Sequence, residues 1–114
     1  MLLNWKEFLG NAVNAIGTLA KGNPKLMQGL GTLDEAAQAK GALDPKTREL
    51  IALAVASTTR CDTCIAVHVS KAVEFGATRD ELMEALSMAV ALNAGAAFVY
   101  SSHALEAFDQ MTEK

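Results

Sequence analysis

Glu49, Cys61, Cys64 and His68 are the residues of this chain whose types and spacing could do chemistry. Eleven residues separate Glu49 from Cys61, two separate the cysteines and three separate Cys64 from His68. The chain has only two cysteines, and both lie here. A thiolate, not a thiol, is the attacking species, and a free thiol has a pKa of about 8.5, so it needs activation near neutral pH. His68 supplies a base that titrates in that range. A second thiol within disulfide reach resolves a mixed disulfide or a sulfenic acid. An acid, two thiols and an imidazole in one short stretch therefore suggest a redox apparatus.

That chemistry requires a helix and a turn. With Cys61 at or just before a helix start, positions 61, 64 and 68 are i, i+3 and i+7 and fall within roughly 60° of arc. Both sulfurs and the imidazole then share one face. Cys64 and His68, at i and i+4, are close enough to exchange a proton directly or through a water. The open helix N-terminus lowers the thiol pKa; Arg60 adds to this, and Asp62 works against it. A preceding helix over about Pro45 to Thr58, joined by a short link at Thr59-Arg60, is expected to run antiparallel. Glu49 lies eleven residues before Arg60 and His68 eight after it, so the two reach similar heights. Glu49 then orients the imidazole and stabilises its protonated form, a nucleophile–base–orienter arrangement. We assign Cys64 as the base-activated thiol and Cys61 as the outer partner that meets an external thiol or disulfide.

The rest of the chain reads as helix. Asn4 with Glu7 opens a first helix, closed by Gly22. Asn23-Pro24 opens a second, with Asn as cap and Pro at the first helical position, closed by Gly41; Gly29 and Gly31 are expected to bend or break its middle. Asp44-Pro45 opens the third by the same device. Its Leu50 to Ala56 run is apolar all round, which predicts a central, buried helix. Gly76 ends the fourth helix, and Thr78-Arg79-Asp80-Glu81 is a capping box for a fifth, with Leu82, Leu86, Ala89, Val90 and Asn93 on its packed side. Gly95 is expected to split the final stretch in two. No useful length shows the period-2 alternation of strands. The expectation is all-α: a single compact domain over 1–114, of five to six helices.

Composition narrows the function classes. At 114 residues the chain can bury a small core, and an interface with copies of itself would add to it. The net charge of -3, with no basic run, argues against nucleic acid. Residues 85–105 carry no Asp, Glu, Lys or Arg, long enough to span a bilayer. Ser87, Asn93, Gly95, Ser101, Ser102 and His103 dilute that segment, and a buried core or interface helix is the better reading. Lys6 and Glu7 interrupt the apolar start, no export signal is visible, and the expected compartment is the cytoplasm. There a Cys-x-x-Cys is redox-active or metal-binding rather than a structural staple.

Glu-x11-Cys-x2-Cys-x3-His resembles the core of the alkylhydroperoxidase D-like branch of the carboxymuconolactone decarboxylase superfamily. The flanks fit: Arg48 to Ala56 before the motif, His68 to Gly76 after it, then Ala77 to Leu82. The resemblance covers roughly 40–108, with the helices of 4–40 outside it. It implies an all-α fold assembled as homotrimers or homohexamers and a thiol-dependent peroxidase or disulfide reductase. It implies catalytic roles for Glu49, Cys61, Cys64 and His68, and as partners a peroxide or disulfide substrate, a peroxiredoxin, and a lipoyl- or thioredoxin-type reductant. The family's type member has a histidine immediately before the second cysteine, where this chain has Thr63. The decarboxylase branch lacks the cysteine pair, so that activity fits poorly.

Other readings compete. The cysteines could be two small buried residues of a catalytically silent helical oligomer or binding module. Cys61, Cys64 and His68, with His103 or Glu49, could hold zinc, although a lone Cys-x-x-Cys is half of the usual structural site. His103 reads as a hydrogen-bonded core or interface histidine, with support of the redox pair as the alternative. Trp5, Tyr100 and Phe108 read as packing. No metal, flavin or haem motif is evident, so the expected redox group is the cysteine pair itself.

Overall fold

The computed structural model describes residues 1–113. Among them are five helices and no strand: α1 (Trp5–Gly22), α2 (Pro24–Gln38), α3 (Pro45–Thr59), α4 (Asp62–Glu74) and α5 (Arg79–Thr112).

Local chemistry sets most of the boundaries. The Asn4 side chain accepts from Glu7 N–H at 3.2 Å, and Asp44 accepts from Thr47 N–H at 2.7 Å, each satisfying a donor that the first helical turn leaves open. Thr78 and Glu81 complete the capping box in both directions, at 3.1 and 2.9 Å. Gly76, at φ +80°, ends α4 in the left-handed region that a glycine enters at no steric cost. Asn23 is the N-cap of α2 and Pro24 its first helical residue, as expected, although the Asn23 side chain makes no cap bond. Against expectation, that helix runs unbroken through Gly29 and Gly31, because an isolated glycine weakens a helix without removing any of its hydrogen bonds.

The 34-residue α5 is two limbs. At 1.5 Å per residue a straight helix of that length would run about 50 Å, but the longest extent of the molecule is 37 Å. Arg79 Nε also lies 2.7 Å from Asp109 Oδ1, thirty positions on. The chain reverses at Asn93 and Ala94, whose φ/ψ of -138°/25° and 28°/-124° are non-helical. The expected split thus falls just before Gly95. Asn93, expected on the packed side, is exposed at the reversal, whereas Leu82, Leu86 and Ala89 are buried. The uncharged segment has the length and hydropathy of a membrane span, but it is doubled back on itself rather than drawn out as one rod.

The core is gathered from α1, α3, α4 and α5 around Trp5, Leu53, Ile65, Val69, Leu82, Leu86 and Phe108. α3 packs on α4 and on α5, and α4 packs on α5 and α1. The central, fully buried α3 expected from its apolar run is only half realised. Leu53, Ala56 and Ser57 are buried, while Ile51 and Val55 stand exposed on its other side. α2 departs further: it meets only α1, and Leu26, Met27, Leu30 and Leu33 are all exposed.

Candidate active site

The site is built on the α3–α4 turn. Arg60 adopts the left-handed conformation at φ 58°, and Cys61 N–H returns to Ala56 O at 3.2 Å, so the chain reverses within two residues. Cys61 becomes the N-cap of α4, and its sulfur accepts from Cys64 N–H at 3.2 Å. Cys61 and Cys64 are joined by a disulfide across a Cα–Cα distance of 5.2 Å. Both are half-buried, and Cys64 packs against the core.

One turn further along α4, His68 Nδ1 lies 2.5 Å from Glu49 Oε2. The antiparallel pairing expected from the sequence thus joins residues nineteen apart. With a carboxylate as acceptor, Nδ1 carries the proton and Nε2 is left as the basic nitrogen. The imidazole is the more open partner: His68 is 29% exposed and Glu49 13%. A cavity of about 310 Å³ opens on this pair. Its walls are Asp34, Ala37 and Gln38 of α2, Leu43, and Arg48, Ile51 and Ala52 of α3. The cysteines are not among its lining residues, and the contribution of α2 was not legible in the sequence.

The sequence reading also missed a second acid–imidazole pair. Asp62 Oδ1 lies 2.8 Å from His103 Nδ1, on the second limb of α5. His103 is hydrogen-bonded, as expected, and its partner is a residue of the Cys-x-x-Cys motif itself. Its ring stacks on Tyr100 at 4.2 Å and meets the edge of Trp5 at 6.0 Å, so these two aromatics pack on the imidazole as well as on the core. Among the described residues, no three His, Cys, Asp or Glu side chains come together as a metal site. His68 and His103, both considered as zinc ligands, each face a different carboxylate instead.

Charged fasteners hold the frame around the site. Lys46 Nζ lies 2.8 Å from Glu81 Oε2, pinning the first turn of α3, which precedes Glu49, to the start of α5. That hydrogen bond holds the Glu81 carboxyl below its ordinary range and Lys46 above its own, and Thr78 N–H lowers Glu81 further. The Thr47 N–H lowers Asp44, the α3 cap. Glu106 is drawn two ways: burial pushes its carboxyl up, but the Leu2 N–H and the Trp5 indole outweigh it and leave it lowered.

Helical topology and a Cys-x-x-Cys at a helix N-terminus define a small all-α protein carrying a close cysteine pair. The carboxymuconolactone decarboxylase family model matches residues 24–107, and the chain belongs to that family. It is 38% identical to an apo carboxymuconolactone decarboxylase family protein from Legionella pneumophila, whose crystal structure superposes with a TM-score of 0.88 over 96% of this chain and 97% of that one. It is 50% identical to an uncharacterized protein of Haemophilus influenzae, over 95% of this chain and 96% of the relative. It is 37% identical to uncharacterized protein 4 of the cox locus in Paracoccus denitrificans, over 85% and 87%.

Proposed function

We propose that the chain is a thiol-dependent oxidoreductase that reduces peroxides or disulfides through Cys61 and Cys64. The observation that carries the reading is the coincidence of a disulfide at the α4 N-cap with a Glu49-oriented imidazole one turn away. In the proposed cycle His68 Nε2 takes the proton of Cys64. The Cys64 thiolate attacks a peroxide oxygen; the S–O bond forms, the O–O bond breaks, and the leaving alkoxide takes the proton held by His68. Cys61 then attacks the sulfenic sulfur, forming the disulfide and expelling hydroxide, which leaves as water with the Cys61 proton. An external dithiol, of lipoyl or thioredoxin type, reduces the disulfide by two exchange steps and is itself oxidised. A disulfide substrate, including that of a peroxiredoxin, enters by thiol exchange instead. Glu49 fixes the tautomer that leaves Nε2 free. The redox group in this reading is the cysteine pair itself, and the compartment is the cytoplasm.

We also propose that the working form is a homotrimer or homohexamer. Leu30 and Leu33 on α2, and Leu92, Phe98 and Val99 around the α5 reversal, are large apolar side chains left exposed. Apolar surface of this extent marks an interface. A silent helical oligomer is the second reading, because the same surface favours assembly without turnover.

Peroxide-dependent oxidation of a dithiol, assayed for the wild type and for Cys64→Ser, separates the two readings. Loss of turnover in the variant supports the cycle. Equal turnover removes Cys64 from it, and no turnover by the wild type with any peroxide or disulfide leaves the silent oligomer. Light scattering of Leu30→Glu/Leu33→Glu tests the assembly; an unchanged mass would place the interface elsewhere.

A further inference from the structure

We propose that His103 is a positioning residue for the dithiol: it clamps the Asp62 carboxylate, so that the acid inside Cys61-Asp62-Thr63-Cys64 does not bear with full charge on the Cys61 sulfur. The inference rests on the reading that this pair cycles between dithiol and disulfide.

Two anions compete for one helix terminus. The Cys61 sulfur caps α4 and receives the Cys64 N–H at 3.2 Å. A thiolate there is favoured by the open N–H groups and the helix dipole. Asp62, the first residue of α4, sits in the same field. Its charge stabilises the helix but disfavours a neighbouring thiolate. His103 answers this conflict from another element. Its Nδ1–H donates to Asp62 Oδ1 at 2.8 Å, drawing carboxylate charge away from the sulfur in either protonation state of the ring.

The surroundings of His103 are those of a clamp rather than a proton exchanger. The imidazole is the more enclosed partner, 19% exposed against 30% for Asp62, the reverse of the Glu49–His68 pair. Tyr100 stacks on one side, with planes 26° apart, and Trp5 meets it edge-on. Trp5 is itself buried and tied through Nε1 to Glu106 at 3.3 Å. A ring held this way fixes the direction of the Asp62 carboxylate, leaving the carboxylate as the open member.

The dithiol–disulfide equilibrium reads the clamp directly. Each protein is equilibrated at neutral pH in glutathione buffers and the disulfide fraction is measured, together with the thiol pKa from thiolate absorbance. His103→Phe keeps a ring between Tyr100 and Trp5 but removes the N–H. It should make the disulfide harder to reduce by about tenfold in the equilibrium constant, or about 30 mV for a two-electron couple, and raise the thiol pKa. His103→Asn, whose amide N–H stands near the position of Nδ1, should recover part of that shift. Asp62→Asn should shift the equilibrium the opposite way, and adding His103→Phe to it should change nothing further. A His103→Phe variant with a lowered melting temperature but an unmoved equilibrium and thiol pKa would overturn the clamp. So would an equal His103→Phe shift with Asp62 replaced by Asn. If the wild-type disulfide exchanges with no thiol buffer, the dithiol reading fails first and the clamp falls with it.

Discussion

Glu49–His68 and Asp62–His103 are the same chemical couple built in two ways. Each joins a carboxylate to an imidazole Nδ1 within 2.8 Å, and each touches α4, the helix that carries the disulfide. Their exposures are inverted. In the first pair the acid is enclosed and the ring is open; in the second the ring is boxed between aromatics and the acid is open. The open member is the one able to meet solvent or substrate. In the proposed reading, the enclosed acid behind an open ring makes Glu49–His68 an oriented base, and the enclosed ring behind an open acid makes Asp62–His103 a charge restraint. One couple can therefore exchange protons or hold a charge still, according to which half the fold buries.

Variants should separate the two pairs by size of effect. Replacing either cysteine ends the cycle, and Cys64→Ser is expected to lower peroxide-dependent dithiol oxidation by at least about a hundredfold. His68→Gln removes the base and should slow thiol reaction at neutral pH by about 10²-fold or more. Glu49→Gln should have an effect of similar order, because the amide can hold the wrong tautomer. If both leave thiol reactivity unaltered, Glu49–His68 is not a relay and the contrast with the second pair disappears. His103→Phe should lower turnover by less than His68→Gln does; an equal loss in a steady-state assay would make the pairs functionally alike.

The frame under both pairs should respond to acid. Asp44, Glu81 and Glu106 have carboxyls held below their unfolded values. Their contribution is fully present above the unfolded carboxylate pKa of about 4, and it is lost as pH falls through the lower folded values. Melting temperature measured down an acid series should therefore fall below about pH 4, and Glu81→Gln should flatten part of that fall. A curve unchanged by Glu81→Gln would remove the Lys46–Glu81 fastener from the account. The smallest expected effect is at the α5 reversal, which precedes the limb that carries His103. Ala94, at φ 28° and ψ -124°, lies in a sparsely populated region that L-residues enter at a cost on the order of 1–3 kcal/mol. Ala94→Gly should raise the melting temperature slightly, with no effect on turnover.

The two pairs also differ in how far the sequence announced them. Glu49 and His68 lie on consecutive helices across a two-residue link, so helical rise and an antiparallel turn suffice to bring them level. The caps at Asn4, Asp44 and Thr78 were legible for the same reason, since each is a contact within three residues. Asp62 and His103 are forty-one residues apart, and their meeting depends on where α5 reverses and how its second limb docks on α4. No local spacing encodes that. Nor did the apolar run of α3 reveal that Ile51 and Val55 would stand exposed, because composition does not say which side of a helix finds a neighbour. The exposure of α2 was hidden likewise: its sequence does not say that its leucines stay uncovered in the single chain.

In the proposed function, Cys61 and Cys64 turn over between dithiol and disulfide in response to an oxidant. The most direct test is to mix the fully reduced protein with one equivalent of hydrogen peroxide and follow the mass of the peptide that holds both cysteines. A loss of about two mass units is expected, restored by an external dithiol. A peptide that keeps its reduced mass, whether the thiols stay inert or are held by stoichiometric zinc, would contradict it.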